Sequence, residues 1–360
     1  MKILEIYTFD ENRIGGVSTM VKSYINAVDE FSKNGCKLEL LNIPPKYRTG
    51  KSMIDNFIYI FTQRKAVSRH LKKNTYNAVH IHTSREFLFL KDLFLCKLIK
   101  IKFNIPIIIT IHVGAIDTVY KRIGWFKKRS FDLINRYADN VIFLSETMRK
   151  VFIKNGLKES KTSLLYNFYN FTPSHKKYLK INDSLQLLFV GAIHREKGII
   201  ELLKALSKMP ELNYHLNVCG QLKDNRIKDE IEYYKTILSD KVSFLGNVSG
   251  EDKTKIFMLS DILILPSYHE GLPLVILEAL GAGCGIMTTA VGAIPEILSK
   301  DNCRWLDIAS SDSIVAQLSQ MTLDDLKKMK DRNKSLGNQY SLTDHINKLS
   351  VIYKSVCVIN

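Results

Sequence analysis

The sequence predicts an α/β protein built from two doubly wound parallel sheets, and three observations carry that prediction. Short apolar runs of strand length alternate with stretches of helical period along the chain, the pattern of parallel strands covered by helices on both faces. At 360 residues the chain sits at the size where one hydrophobic core gives way to two. Between its halves lies Phe168 to Ser184, which is polar, is interrupted by Pro173 and has no clean period, so it reads as a boundary. The expected organisation is a Rossmann-like domain over residues 1–170, a linker over 171–184 and a second Rossmann-like domain over 185–340.

In the first half, Lys2-Ile-Leu-Glu-Ile-Tyr7 reads as a strand and leads to Gly15-Gly16-Val17 and a helical run. A Gly-Gly pair lets backbone approach a ligand, although such a pair is most often only a turn. Val79-His80-Ile81-His82 is a second strand. Its alternating histidines suggest a metal pair, but no third ligand follows at a convincing spacing, so they are read as structural, with His82 a candidate cleft residue. Ile107 to Ile111 is a third strand and His112 ends it, at the edge where doubly wound sheets gather ligands. A lone histidine after an apolar run is otherwise a satisfied structural residue.

In the second half, Phe189-Val190-Gly191 closes a strand ahead of Arg195-Glu196-Lys197-Gly198. Asp261-Ile-Leu-Ile-Leu265 is a buried strand that ends at Pro266-Ser267. After the Gly271-Leu272 break, Pro273 suits a first helical turn, and Leu274, Leu277, Ala279 and Leu280 keep helical spacing until Gly281 and Gly283 stop it. Thr289, Val291 and Gly292 follow another short strand, with Pro295-Glu296 opening the next helix. Ser341 to Val358 reads as a terminal helix begun by Ser341-Leu-Thr343-Asp344.

Glu270 and Glu278 straddle the start of the helix after Pro273. Backbone N–H groups at such a mouth carry partial positive charge and suit a phosphate. An acidic residue beside them is tolerated when it faces a polyol, so a sugar hydroxyl on Glu270, a diphosphate over residues 271–274 and a ribose on Glu278 form one consistent picture. On spacing alone, a plain strand-loop-helix unit with Glu278 on a solvated face fits equally well. No Gly-x-Gly-x-x-Gly follows the first strand, which argues against a dinucleotide oxidoreductase.

Charge divides the halves. Residues 1–180 hold 32 Lys+Arg against 14 Asp+Glu, whereas residues 181–360 hold 20 against 22, so all of the net +16 comes from the first half. Its densest pieces are Arg64 to Lys73 and Lys121 to Arg129, where apolar residues interleave with cations. An anionic membrane surface, nucleic acid and plain solvation all suit such patches. Without a recognisable nucleic-acid module, the expectation is an anionic surface or lipid phosphate, where each nearby cation contributes about 1 kcal/mol. The most apolar region, Glu86 to Val113, is broken by Lys91, Asp92, Lys97, Lys100 and Lys102, so no spanning segment is expected, and the N-terminus shows no signal-peptide pattern. Cys36, Cys96, Cys219, Cys284, Cys303 and Cys357 are scattered without C-x-x-C pairs and read as reduced. A cytoplasmic enzyme, peripheral on the inner face of the membrane, is the expectation.

Pro266-Ser267-x-x-Glu270-Gly271-x-Pro273 followed by Glu278-Ala279 resembles the E-x7-E region of family 4 glycosyltransferases, which have the GT-B fold. The first strand with Gly15-Gly16, the strands ending at His82 and His112, Ala138-Asp139-Asn140-Val141-Ile142-Phe143-Leu144-Ser145-Glu146, Val190-Gly191 with Glu196-Lys197-Gly198, and Thr289 to Glu296 resemble further family segments in order. The resemblance spans nearly the whole chain. It implies two Rossmann-like domains facing a cleft, an acceptor domain first and a nucleotide-sugar domain second, with the last helix, 341–360, crossing back to the first. It implies retaining transfer from a nucleotide-diphosphate sugar to a glycan or lipid-linked acceptor in surface polysaccharide synthesis, with no metal and no other cofactor. Glu270 would orient donor hydroxyls, Lys197 would meet the phosphate, and His112 would contact the donor sugar. Gly16, Gly271, Leu272, Pro273, Leu274, Glu278 and Gly292 would line the donor. The sequence holds no Asp-x-Asp metal motif. It departs from the family at Ala192, where many relatives carry arginine, which leaves Arg195 as the candidate to reach the diphosphate. A GT-B epimerase and a weakly catalytic membrane-associated partner of another transferase are the alternative readings.

Overall fold

A parallel strand covered on both faces has no solvent side to mark, so which face meets which neighbour emerges only once the strands are in register. The computed structural model describes residues 1–7, 16–43, 53–83, 86–112, 127–171 and 184–358. The chain divides into two compact units, Met1–Tyr166 with Leu342–Asn360, and Asn167–Ser341.

The first unit carries β1 (Lys2–Tyr7), β2 (Lys37–Asn42), β3 (Ala78–Thr83), β4 (Ile107–Ile111), β5 (Asn140–Phe143) and β6 (Thr162–Leu164). All pair parallel, in the order β2-β1-β3-β4-β5-β6. Side chains alternate between faces with period two. Leu4, Ile6, Val79, Ile81, Ile109 and Ile111 point to one side and join a buried cluster with Val67, Leu93, Ile99 and Ile134 from the covering helices. Glu5 pairs with His80, and His82 with Thr110, so these four occupy the opposite face as a buried polar stripe. The helix Leu342–Val358 packs on β3 over that stripe, bringing His345 and Tyr353 to it.

The second unit carries β7 (Leu185–Val190), β8 (Tyr214–Cys219), β9 (Val242–Gly246), β10 (Ile262–Leu265), β11 (Gly285–Thr289) and β12 (Arg304–Leu306), all parallel in the order β12-β11-β10-β7-β8-β9. Strand order reverses between β7 and β10, as it does between β1 and β3 in the first unit. Such reversals open a crevice at the carboxyl ends of the strands, the usual ligand position in doubly wound sheets.

Two local expectations change. Asn167–Phe171 belongs to the second unit, not to the first domain or a linker, because Tyr169 is buried and its N–H donates to the Tyr340 carbonyl at 2.9 Å. The rest of the expected linker, 172–183, lies outside the described residues. The helix Leu274–Ala282 also runs through Gly281 and ends at Gly283, which has φ 71°. Residue 281 is glycine because the Tyr169 ring lies against its backbone, 2.6 Å from where a Cβ would sit. Its glycine serves close packing; Gly283 supplies the left-handed stop.

Candidate active site

In the second unit, the loops after β7, β10 and β11 are joined backbone to backbone at the strand-order reversal. After β7 the chain passes Gly191 and Ala192 into a single 3-10 turn, Arg195–Lys197, and then Gly198 at φ 71° before the helix Ile199–Ser207. A side chain at Gly198 would overlap the Pro266 carbonyl, so glycine allows the first two loops to touch. Tyr268 N–H donates to the Glu196 carbonyl at 2.8 Å, Thr289 Oγ1 to the Ser267 carbonyl at 2.5 Å and Ala293 N–H to the Gly271 carbonyl at 2.8 Å. Gly292, at φ 59°, lies directly on the Glu270 carbonyl.

This scaffold brings Lys197 and Glu270 together. Lys197 Nζ lies 2.5 Å from Glu270 Oε1, and Ser267 Oγ donates to the same oxygen at 2.8 Å. The Glu270 carboxylate is buried while the lysine head stays about one-quarter exposed, at 23 %. An acidic and a basic group are thus held together where these loops meet, with charges compensated before any ligand arrives.

Glu278 lies on the next helix and is buried, so it is not on a solvated face. Its Oε1 accepts from Lys253 Nζ at 2.5 Å, whereas Oε2 is buried and has no hydrogen-bond partner among the described residues. An unpaired buried carboxylate oxygen costs about 1–3 kcal/mol, which a hydroxyl donor would offset. Each carboxylate of the eight-residue pair therefore has its own lysine, one of them unforeseen in the sequence.

Pro273 and Arg195 depart from the expected phosphate cradle. The helix begins at Leu274, with Pro273 preceding it at φ −73° and ψ 129°. Pro273 has no N–H to offer, so the first-turn amides at this mouth begin at Leu274. Arg195 is exposed and its guanidinium pairs with Glu230 on the helix Lys228–Leu238, not with the Glu270 loop. Leu272 and Gly271 remain in the connecting loop beside Glu270. Gly16 opens the helix Gly16–Asn26, while Gly15 lies outside the described residues.

The first unit presents a second polar centre at its own strand-order reversal. His112 sits just past β4, its N–H bonded to the Thr83 carbonyl at 2.8 Å. His112 Nε2 is 3.0 Å from His82 Nδ1, and His82 Nε2 is 3.2 Å from Glu5 Oε2. Tyr353 donates to Glu5 Oε1 at 2.6 Å and lies 2.7 Å from His80 Nδ1. Burial opposes ionisation of Glu5, yet bonds from His80 and His82 hold its carboxyl well below the usual range. Glu5, His80 and His82 offer ligand atoms within 4.8 Å of one another, so parallel register supplies the third member that spacing along the chain lacked. Each of these residues already bonds within the network.

Burial pushes His80 down to about 4 and His345 down to about 3, so both are neutral in the folded chain. Unfolded histidines bind protons near pH 6.5. Between there and the folded values the unfolded chain holds more protons, so stability is complete above pH 6.5 and falls as the pH drops. The loss is about 3 kcal/mol per histidine by pH 4. Urea melts at pH 7.5 and 4.5 should show a clear drop in midpoint; equal midpoints would count against the buried neutral histidines.

Residues 26–172 match the family described as Glycosyltransferase Family 4, and residues 170–338 match Glycosyl transferases group 1. The chain belongs to the family 4 glycosyltransferases. It is 24% identical to an uncharacterized 41.2 kDa protein in the cps region of Klebsiella pneumoniae, over 86% of each chain. It is also 24% identical to alpha-galactosylglucosyldiacylglycerol synthase of Streptococcus pneumoniae, over 63% of this chain and 64% of that one. In structure it is similar to a glycosyltransferase from Rickettsia africae (TM-score 0.77, 17% identity, 99% of this chain and 98% of that one). HepE of Anabaena in complex with UDP-glucose is similar at TM-score 0.69 and 15% identity, over 99% of both chains. The fold of this glycosyltransferase is GT-B.

Lys253, Glu5, Tyr353 and the His82–His112 contact were not foreseen. Only Glu5 left a signal in the sequence, as one acidic residue inside an otherwise apolar strand.

Proposed function

We propose that this glycosyltransferase transfers a sugar, with retention and without a metal, from a nucleotide-diphosphate donor to a glycan or lipid-linked acceptor in surface polysaccharide or glycolipid assembly. The observation that carries the reading is the pair of lysine-matched carboxylates at the strand-order reversal of the second unit, one of them with a buried unpaired oxygen. In this reading Glu278 Oε2 accepts from a ribose hydroxyl and Glu270 orients donor-sugar hydroxyls. Lys197 and the first-turn amides from Leu274 onward meet the diphosphate, neutralising charge as the leaving oxygen departs. The acceptor hydroxyl attacks from the face the diphosphate leaves, and a diphosphate oxygen takes its proton. Two carboxylates on one short motif, each paired to a lysine, do not form the opposed pair of a glycosidase. The nucleotide-sugar donor is supported by HepE, solved with UDP and with UDP-glucose, and a lipid-linked acceptor by a relative in Campylobacter jejuni named as an N-acetyl-D-galactosaminyltransferase acting on a glycan linked to PP-undecaprenol.

An anionic membrane surface suits two helices of the first unit. On Met53–Lys73 the exposed Ile58 and Phe61 stand one to four turns from exposed Lys65, Arg69 and Lys72. On Glu86–Phe103 the exposed Phe94 and Ile101 flank exposed Lys97. Apolar tips among cations favour the interface of an anionic leaflet. No described helix is long and apolar enough to cross a membrane. Of the second basic piece, Lys121 to Arg129, residues 121–126 lie outside the described residues.

The test incubates the purified protein with a panel of UDP-, GDP- and ADP-sugars, with and without polyprenyl-diphosphate glycan acceptors, in EDTA and in magnesium. Expected is an acceptor-dependent product with the donor's anomeric configuration, formed equally in EDTA. Donor conversion without an acceptor would instead establish an epimerase, and loss of turnover in EDTA would end the metal-independent reading.

A further inference from the structure

Glu5 is a fully buried carboxylate in the middle of an apolar strand, and its position orders the protons of the histidines around it. An ionised carboxylate offers acceptors only. His82 Nε2, 3.2 Å from Glu5 Oε2, must therefore carry the proton of its ring. While the His82 ring is neutral, its other nitrogen is then bare. His112 Nε2 lies 3.0 Å from that bare His82 Nδ1, so it must donate. His112 is left with its Nδ1 as a lone-pair acceptor, and no described residue bonds to that atom. On the other arm, Tyr353 donates to Glu5 Oε1, accepts from His80 Nδ1, and leaves His80 Nε2 to accept from Thr110 Oγ1 at 2.7 Å. Every bond in both arms has one donor and one acceptor. The logic parallels a carboxylate that fixes the tautomer of a catalytic histidine, with one more imidazole in the chain.

Burial, with His82, His80 and His345 nearby, holds His112 well below the ordinary histidine range, against the opposing pull of Glu5. A neutral ring with a fixed bare nitrogen at the end of β4 is suited to receive a hydroxyl hydrogen and unsuited to act as an acid.

We propose that Glu5 is a positioning residue that, through His82, locks His112 in the Nε2–H tautomer and so presents His112 Nδ1 as a permanent acceptor for a substrate hydroxyl. The last step rests on the reading of His112 as a substrate-contacting residue; the tautomer lock does not.

The test is long-range proton–nitrogen correlation NMR of the ligand-free full chain labelled with 15N-histidine at pH 8, with assignments from His82 and His112 substitutions. Expected are protonated Nε2 and bare Nδ1 on both rings. An Nδ1–H tautomer or rapid averaging at His112 overturns the proposal. Glu5→Gln then supplies a shape-matched group with one donating and one accepting end, which can serve only one arm as the carboxylate does. If its NH2 meets His82, His82 and His112 switch to Nδ1–H together and kcat/KM falls about tenfold. If its NH2 meets Tyr353, His80 switches instead and turnover stays near wild type. Unchanged tautomers on all three rings, or a switch at His82 alone, overturn the lock. Should Glu5→Gln fail to fold, the wild-type spectrum decides. His112→Ala with normal turnover would refute the substrate contact while leaving the tautomer result standing, so the two failures are distinguishable.

Discussion

Lys197→Ala is expected to lower kcat/KM about 10²–10³-fold, the usual cost of removing one group that stabilises charge in a transition state, while the fold survives. Lys197 is the cation held against Glu270 where the loops after β7 and β10 meet. Without it, Glu270 keeps, among the described residues, the Ser267 hydroxyl, and a diphosphate arriving beside that carboxylate meets an uncompensated negative charge. Because the lysine head is partly exposed but the Glu270 carboxylate is buried, losing the pair also costs stability, about 1–3 kcal/mol. Steady-state kinetics beside a thermal melt separate the two effects. Turnover within about threefold of wild type, a difference of under 1 kcal/mol, would remove Lys197 from the site. Lys197→Arg keeps the charge but not the compact ammonium, so intermediate activity is expected there.

Gly292→Ala is expected to damage both stability and transfer. At φ 59° an alanine is strained by roughly 1–2 kcal/mol, and its Cβ would overlap the Glu270 carbonyl oxygen and lie 2.5 Å from that of Gly271. Those atoms are backbone, so relief requires shifting the segment that carries Glu270. A total loss of about 2–4 kcal/mol, with kcat/KM down by at least about tenfold, should result. Gly283→Ala is the control: its φ is 71°, but the nearest obstacle is the Lys334 Cβ at 3.2 Å, at the far end of the helix that follows Glu270. That variant should lose stability and keep its catalytic parameters. Equal activity losses in both would mean that Gly292 acts through general destabilisation and not through the Glu270 loop.

These two residues show where the sequence was legible. Lys197 follows a strand and precedes a glycine, Glu270 follows another strand, and both sit in short loops whose local patterns are strong. Glycine at 198 and 292 reports positive φ and close backbone approach, which a single residue type can announce. The histidines at 80, 82 and 112 were placed at the right strands, yet their chemistry was not legible. His80 and His82 lacked a third partner along the chain because that partner, Glu5, comes from β1 through parallel register, and Tyr353 comes from a helix more than 340 residues after Glu5. Lys253 likewise reaches Glu278 from a preceding helix, with no spacing rule to connect them. Arg195 was the natural substitute for the arginine missing at Ala192, and folding instead gave it to Glu230.

By itself, then, the sequence determined the two doubly wound sheets and their strand-ending loops, and placed Lys197, Glu270 and Glu278 on those loops and the helix that follows, because periodicity, glycine and proline act over a few residues. Only the tertiary structure decided which charges pair, that Pro273 stands outside its helix, that Gly281 stands inside one, and that one buried carboxylate orders three histidines. Parallel strands are joined by long crossovers, so the neighbours that set a side chain's proton and partner are remote in the chain and carry no local mark.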